Sequence, residues 1–106
     1  AGLSGERLSA TLGGMEAQVQ TEVWYSGQVQ GVGFRYEARQ VARDYRVTGY
    51  VENLADGRVH LLAEGERGEV GRFLEAVGHA LGTYIRHSEQ AERVAPPACG
   101  EFRIRL

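Results

Sequence analysis

Gly27-Gln28-Val29-Gln30-Gly31-Val32-Gly33-Phe34-Arg35 joins two different periodicities. Upstream, Val19, Thr21, Val23 and Tyr25 alternate with Gln20, Glu22, Trp24 and Ser26. A period of two marks a strand with one buried face. Downstream, Phe34, Ala38, Val41, Ala42 and Tyr45 recur at helical spacing and predict a helix near residues 34–45 with one apolar face. The junction is therefore a strand-to-helix turn, and its glycines let several backbone N–H groups converge. Such N–H groups, backed by the positive end of a helix, make a site for phosphate or carboxylate. Arg35 stands where its guanidinium can close over the same anion. The planar fork is always charged and engages two oxygens at once.

Val47 to Leu54 and Arg58 to Glu64 read as two further strands. They are joined through Asp56-Gly57, a strong hairpin signal because the turn needs φ > 0. Val70, Phe73, Leu74, Val77 and Leu81 mark a second helix, stopped by Gly82. A weaker strand is expected between about Ile85 and Val94. Phe102, Ile104 and Leu106 alternate with Glu101, Arg103 and Arg105 as a terminal strand. Strand, helix, strand, strand, helix, strand, with one more strand at the end, is the split βαβ or ferredoxin-like order. It predicts an α+β sandwich with two helices on one face of a mainly antiparallel sheet. Residues 1–18 scatter Gly, Ser and Thr without a sustained period. They are read as a loosely ordered, dispensable N-terminal extension ahead of a single domain at 19–106.

Two familiar phosphate motifs do not fit the junction. A P-loop ends in Gly-Lys-Ser/Thr, and this chain has no lysine. A dinucleotide fingerprint needs a third glycine or alanine where Tyr36 stands. The stretch instead resembles the signature of the acylphosphatase family, read as Gly-x-Val-Gln-Gly-Val-x-Phe-Arg. A second family segment follows at the expected place, Gly49-Tyr50-Val51-Glu52-Asn53-Leu54-Ala55-Asp56-Gly57-Arg58-Val59. The resemblance runs loosely from about Thr21 to Leu106. It implies a small free-standing acylphosphatase whose ferredoxin-like fold has five strands. It also implies that the backbone N–H groups of Gln30, Gly31, Val32, Gly33, Phe34 and Arg35 bind the phosphoryl group, that the Arg35 side chain joins them, and that Asn53 orients the attacking water.

The chemistry suits such a small set of groups. An acyl phosphate is a mixed anhydride, and its carboxylic leaving group ionises near about pH 4. It departs without a proton, so no dedicated general acid is required. Charge stabilisation and a placed water suffice. The sequence shows no evident catalytic carboxylate pair and no Ser-His-Asp signature, and His60, His79 and His87 lack a local metal spacing. No metal or organic cofactor is expected. The expected partner is a small-molecule acyl phosphate, with inorganic phosphate as product and inhibitor. Singly, an arginine after a turn is ordinarily a surface residue and an asparagine near a hairpin a turn former. The combination, with Gly49, Val51, Asp56, Gly57 and Val59 also in place, favours the functional reading. Glu52 points to the opposite face of its strand from Asn53 and is not taken as a base.

At 106 residues the chain makes one domain with one core. A net charge of −2 argues against general nucleic-acid affinity, which needs many cationic phosphate contacts. Arg39, Arg43 and Arg46 read as a solvated helix face. There is no apolar run of membrane-spanning length and no signal-peptide pattern. A single cysteine, Cys99, cannot form an internal disulfide. A reducing, cytoplasmic setting is the default, and a monomer is expected. An RNA-binding module of the same fold competes through Gln30 to Tyr36. It fails because Val32 replaces a stacking aromatic, Gln30 replaces the basic residue, and the segment leads into the first helix. A regulatory domain that has lost activity is disfavoured by the intact Arg35 and Asn53.

Overall fold

Alternation in the first strand becomes burial on one side of a sheet: Val19, Thr21, Val23 and Tyr25 are each at most 5% exposed. The computed structural model describes residues 17–106. The elements are β1 (Gln18–Gly27), α1 (Phe34–Ala42), β2 (Thr48–Asn53), β3 (Val59–Glu66), α2 (Arg67–Leu81), a 3₁₀ turn (Gly82–Tyr84), β4 (Ile85–Val94) and β5 (Phe102–Arg105). The five strands lie in the order β4-β1-β3-β2-β5. Only β2 and β5 run parallel; β1 pairs antiparallel with β3 and β4, and β2 antiparallel with β3. This is the ferredoxin-like α+β sandwich that the order of elements predicts.

Both helices cover the same face. Phe34, Ala38 and Ala42 of α1, with Val70, Phe73, Val77 and Leu81 of α2, pack onto Val51, Val59, Leu61 and Ala63. Burying a side chain such as Phe73 contributes roughly 1.5–3 kcal/mol. Its ring meets Tyr45 and Phe102 at 6.1 and 5.3 Å between centroids, which seats α2 over the sheet edge. Gly49 lets β2 lie close to β3: at φ +139° a Cβ there would stand 1.9 Å from the Leu62 carbonyl oxygen. Any side chain would push the two strands apart.

Some boundaries shift for physical reasons. Helix α1 stops at Ala42, and the N–H groups of Arg43, Asp44 and Tyr45 bond the carbonyls three residues back. Such bonds tighten a closing turn. Tyr45 still packs on the core, so its apolar spacing reads as helix although its backbone is not. Helix α2 ends before Gly82, but that glycine keeps a right-handed φ of −59° and opens the 3₁₀ turn. It does not form the left-handed cap that stops many helices. The N-terminal segment at residues 1–16 lies outside the described residues. Ala17 and Gln18 already belong to the packed structure. The Ala17 carbonyl accepts from the Arg67 N–H at 3.0 Å, and the Gln18 carbonyl accepts from the Ala95 N–H at 3.1 Å.

On the other face, at the end of the sheet remote from the glycine junction, Glu64 is 1% exposed. Its carboxylate accepts from Gln20 Nε2 and Thr48 Oγ1, both at 2.9 Å, and from the amides of Ala98 and Cys99 at 2.8 and 3.0 Å. It thereby ties the β4–β5 connection to three strands. Burial pushes this carboxyl up, but the donated bonds outweigh burial and hold it below its ordinary value of 4.5. Burial, then the Glu64 charge, pushes the Cys99 thiol up. Cys99 is therefore a poor nucleophile.

Glu64→Gln should lower stability by about 2–4 kcal/mol in urea melts near neutral pH, because an amide N–H₂ then faces donors. A carboxyl depressed by folding adds stability above its unfolded value, and that stability is lost as pH falls through the folded value. Wild-type stability should therefore drop below about pH 4.5. The Glu64→Gln protein should show less of that drop.

Candidate functional site

The sheet register gathers the predicted residues at one end. Val59 of β3 lies opposite Tyr25 of β1 on one side and opposite Asn53 of β2 on the other. Residues 28–33 lead from the end of β1 to α1. Their first amide, on Gln28, donates to the Tyr84 carbonyl at 3.0 Å. Val29 is fully buried. Phe34 packs its ring on Tyr25 at 5.1 Å, which pins the start of the helix.

Between these anchors the backbone does what only glycine does readily. Gly31 and Gly33 have φ of +79° and +82°, and Val32 between them does not cross to positive φ. Left-handed residues interleaved with a residue of negative φ are a backbone pattern from which anion nests can be built. Gly33 caps α1 with no side-chain bond, and its carbonyl accepts from the Glu37 N–H at 2.9 Å. The amides of Phe34, Arg35 and Tyr36 precede the first intrahelical donor and have no acceptor within the helix. Among the described residues, the amides of Gln30, Gly31, Val32 and Gly33 donate to no backbone carbonyl. Gly31, Val32 and Gly33 are exposed, so these amides are open to solvent.

Arg35 is half-buried and reaches back across the sheet edge. Its Nη1 donates to the Arg105 carbonyl in a long bond of 3.4 Å. Arg105 of β5 lies opposite Glu52, the residue before Asn53. Asn53 is exposed at the end of β2 and shares the helix-side face with the fully buried Val51. Glu52 faces the other side, where its carboxylate meets His60 Nδ1 at 2.8 Å. The loop, Arg35 and Asn53 thus come to one end of the sheet. Glu52 does not join them.

Two contributions escape a reading of the sequence. Gln30, read there for its backbone N–H, donates both amide hydrogens of its side chain, to the Leu54 carbonyl at 2.8 Å and the Arg58 carbonyl at 2.9 Å. It clamps the loop to the β2–β3 hairpin directly beyond Asn53. The hairpin is closed by Leu54 N–H to Arg58 O at 2.8 Å, with φ +95° at Gly57. The Arg58 amide, with its side chain, holds the Asp56 carboxyl below the ordinary range. The second missed contribution is the Arg105 carbonyl. Neither has a periodicity or spacing to mark it, since both are contacts between polar atoms far apart in the sequence. Clefts of about 310 and 410 Å³ lie elsewhere, one lined by Gln20, Glu22 and Tyr50, the other by Thr48, Glu64 and Arg72. An oxyanion held by converging amides needs no deep cavity. Among the described residues no group of three or more His, Cys, Asp and Glu has the placement of a metal site.

Gln30→Ala should leave the Leu54 and Arg58 carbonyls without their donors. A loss of about 1–3 kcal/mol is expected in thermal or urea melts, the usual effect of removing such bonds. Hydrogen exchange should quicken first at Leu54, whose amide closes the hairpin.

Comparison with known proteins bears on the same residues. The acylphosphatase family model matches residues 21–104. An acylphosphatase of Archaeoglobus fulgidus is 52% identical over 59 residues, which cover 56% of this chain; the chain spans 66% of that relative's length, just under two thirds. One of Thermotoga maritima is 39% identical over 79 residues, covering 74% of this chain and 88% of the relative. Among solved structures, the acylphosphatase of Bacillus subtilis superposes with a TM-score of 0.74 at 31% identity, covering 83% of this chain and 99% of that one.

Proposed function

This chain belongs to the acylphosphatase family, and from that premise we propose that it hydrolyses acyl phosphates to carboxylate and inorganic phosphate. The reading is supported chiefly by one observation: left-handed glycines at 31 and 33 bracket Val32 in an exposed loop whose amides, among the described residues, donate to no backbone carbonyl. The nest and the guanidinium hold the phosphoryl oxygens and take up charge as it grows. Asn53 accepts a hydrogen bond from water with its amide oxygen and aligns that water for in-line attack. The water oxygen bonds to phosphorus as the bond from phosphorus to the acyl oxygen breaks. The carboxylate leaves with the bonding pair, and the water proton passes to a phosphoryl oxygen. On this reading the protein works without a metal, as a monomer in a cytoplasmic setting, on small free substrates.

The test is release of carboxylate from a simple aromatic acyl phosphate, with and without chelator, in the presence of graded inorganic phosphate. Hydrolysis untouched by chelator and competitively inhibited by phosphate is expected. Activity lost in chelator and restored by a divalent ion would overturn the metal-free reading.

Two substitutions separate the assigned tasks. Asn53→Ala should lower kcat by about 10²–10³, the usual cost of losing a preorganised polar group. Phosphate affinity, read by calorimetry, should change far less, and circular dichroism should show an intact fold. Arg35→Lys should lose most activity and also weaken phosphate binding, because an ammonium lacks the two-pronged fork. If Asn53→Ala lost turnover and phosphate affinity together, Asn53 would belong to the anion site.

A further inference from the structure

The sheet face turned away from the helices carries a cluster of ionisable side chains around a buried histidine that the reaction above does not use. His60 is 6% exposed. Its Nδ1 lies 2.8 Å from Glu52 Oε2, and its Nε2 lies 2.9 Å from Glu22 Oε2. Trp24 stacks on the ring at 5.2 Å and Tyr50 meets it edge-on at 5.6 Å. Arg105 lies 4.0 Å above the Tyr50 ring, with its Nε 3.9 Å from Glu52 Oε1. Ionised carboxylates only accept hydrogen bonds, and a neutral imidazole has one N–H to give. Both contacts are satisfied together when the ring is an imidazolium.

The position of this cluster gives it a role. Trp24, His60, Glu52 and Arg105 are successive cross-strand partners on β1, β3, β2 and β5. The next row toward the nest is Tyr25, Val59 and Asn53. The bridge therefore spans the strands one residue below the proposed site and grips the residue next to Asn53. We propose that the Glu22–His60–Glu52 bridge is a positioning device that holds the end of β2, and with it Asn53, in line with the nest while His60 carries its second proton. The inference rests on the water-orienting task assigned to Asn53. Among the described residues, the ionisable groups turned to this face around the ring are Glu22 of β1, Tyr50 and Glu52 of β2, Arg103 and Arg105 of β5, and Glu89 and His87 of β4, which lie 3.6 Å apart opposite Trp24 and Ser26. Arg58, also on β3's open side, is paired to Asp56. Glu22 and Glu52 alone among the described residues hydrogen-bond the ring nitrogens. When His60 loses a proton, one carboxylate is left facing a ring lone pair, and the grip on β2 slackens.

The test compares wild type, His60→Gln and Glu22→Gln by kcat and KM for an aromatic acyl phosphate from acid to alkaline buffer, by phosphate calorimetry, and by NMR of the His60 ring. Comparing profiles on the same substrate cancels the titration of the substrate itself. In wild type, two ring N–H signals are expected in acid buffer, and kcat should fall as they are lost. His60→Gln should have a kcat in acid buffer about 2- to 30-fold lower, the range spanned by coupling through packed networks. Its pH profile should be flatter, with phosphate affinity near that of wild type. Glu22→Gln keeps the packing and supplies an amide that can either accept from or donate to the ring. It should fold even if His60→Gln does not, and its profile should also flatten. Wild-type hydrolysis at any pH checks the reaction itself. Given hydrolysis, parallel profiles in wild type and Glu22→Gln overturn the positioning role and leave the reaction standing. A single ring N–H in acid buffer overturns it whatever the activity. Absence of hydrolysis at every pH overturns the proposed reaction and this inference with it.

Discussion

Val59 has Tyr25 across from it on one side and Asn53 across from it on the other. A slip of one residue in either pairing would turn every side chain of that strand to the opposite face. Asn53 would then point away from the helices and Glu52 would take its place. The register is held on both faces. On the helix side, Val23, Tyr25, Val51, Val59 and Leu61 are all within 5% exposure, and no polar residue could replace them without cost. On the other side, Glu64 and His60 each draw several strands into one hydrogen-bonded group. Gly49 completes the constraint, because the contact with Leu62 leaves no room for a side chain at that step of the pairing.

The register brings the loop to the end of the sheet, and in the proposed reaction the loop has an unusual task. Its amides must stay free of protein acceptors yet keep their direction. Unpaired amides are tolerable only where water or an anion can reach them, and Gly31, Val32 and Gly33 are exposed. Their direction comes from neighbours: the Gln28 amide on Tyr84, the buried Val29, the Tyr25–Phe34 contact and the Gln30 clamp. Oriented dipoles bind an anion without adding net charge, so a chain of net charge −2 can still present a local anion site. Arg35 is the one formal charge that the proposed site brings to the anion.

Much of this was legible in the sequence, and the limits have physical causes. Period two in β1 and β5 and helical period in α1 and α2 come from burial on one side, which leaves its mark residue by residue. Asp56-Gly57 marks the hairpin because Gly57 takes φ +95°. Tyr45 misleads because packing on the core does not require helical backbone. The proposed site residues were found because two short motifs, joined only in the fold, could each be recognised by resemblance. The side-chain role of Gln30, the Arg105 carbonyl and the partners of Glu64 and His60 stayed hidden. Each joins polar atoms from segments far apart in sequence, and a lone polar residue on a strand carries no sign of its partner.

The two faces of the sheet divide the work of a small domain. Helices cover one face with an apolar core, which supplies stability but no direction to a polar group at the rim. Among the described residues no helix covers the other face, and β4 is exposed along nearly its whole length. Buried polar networks there specify geometry more than they add stability, because desolvation offsets much of what the bonds return. That distinction explains their placement. Glu64 lies where the β4–β5 connection must be fastened, and it does so with four donors on one carboxylate. The His60 bridge lies one row from Asn53, at the end of the sheet that carries the proposed site. Misplacing a positioning group by about 1 Å can cost on the order of 10²-fold in rate. An apolar residue at 60 would bury as much surface, but it would leave Glu22 and Glu52 without the hydrogen-bond partner that links them across β3.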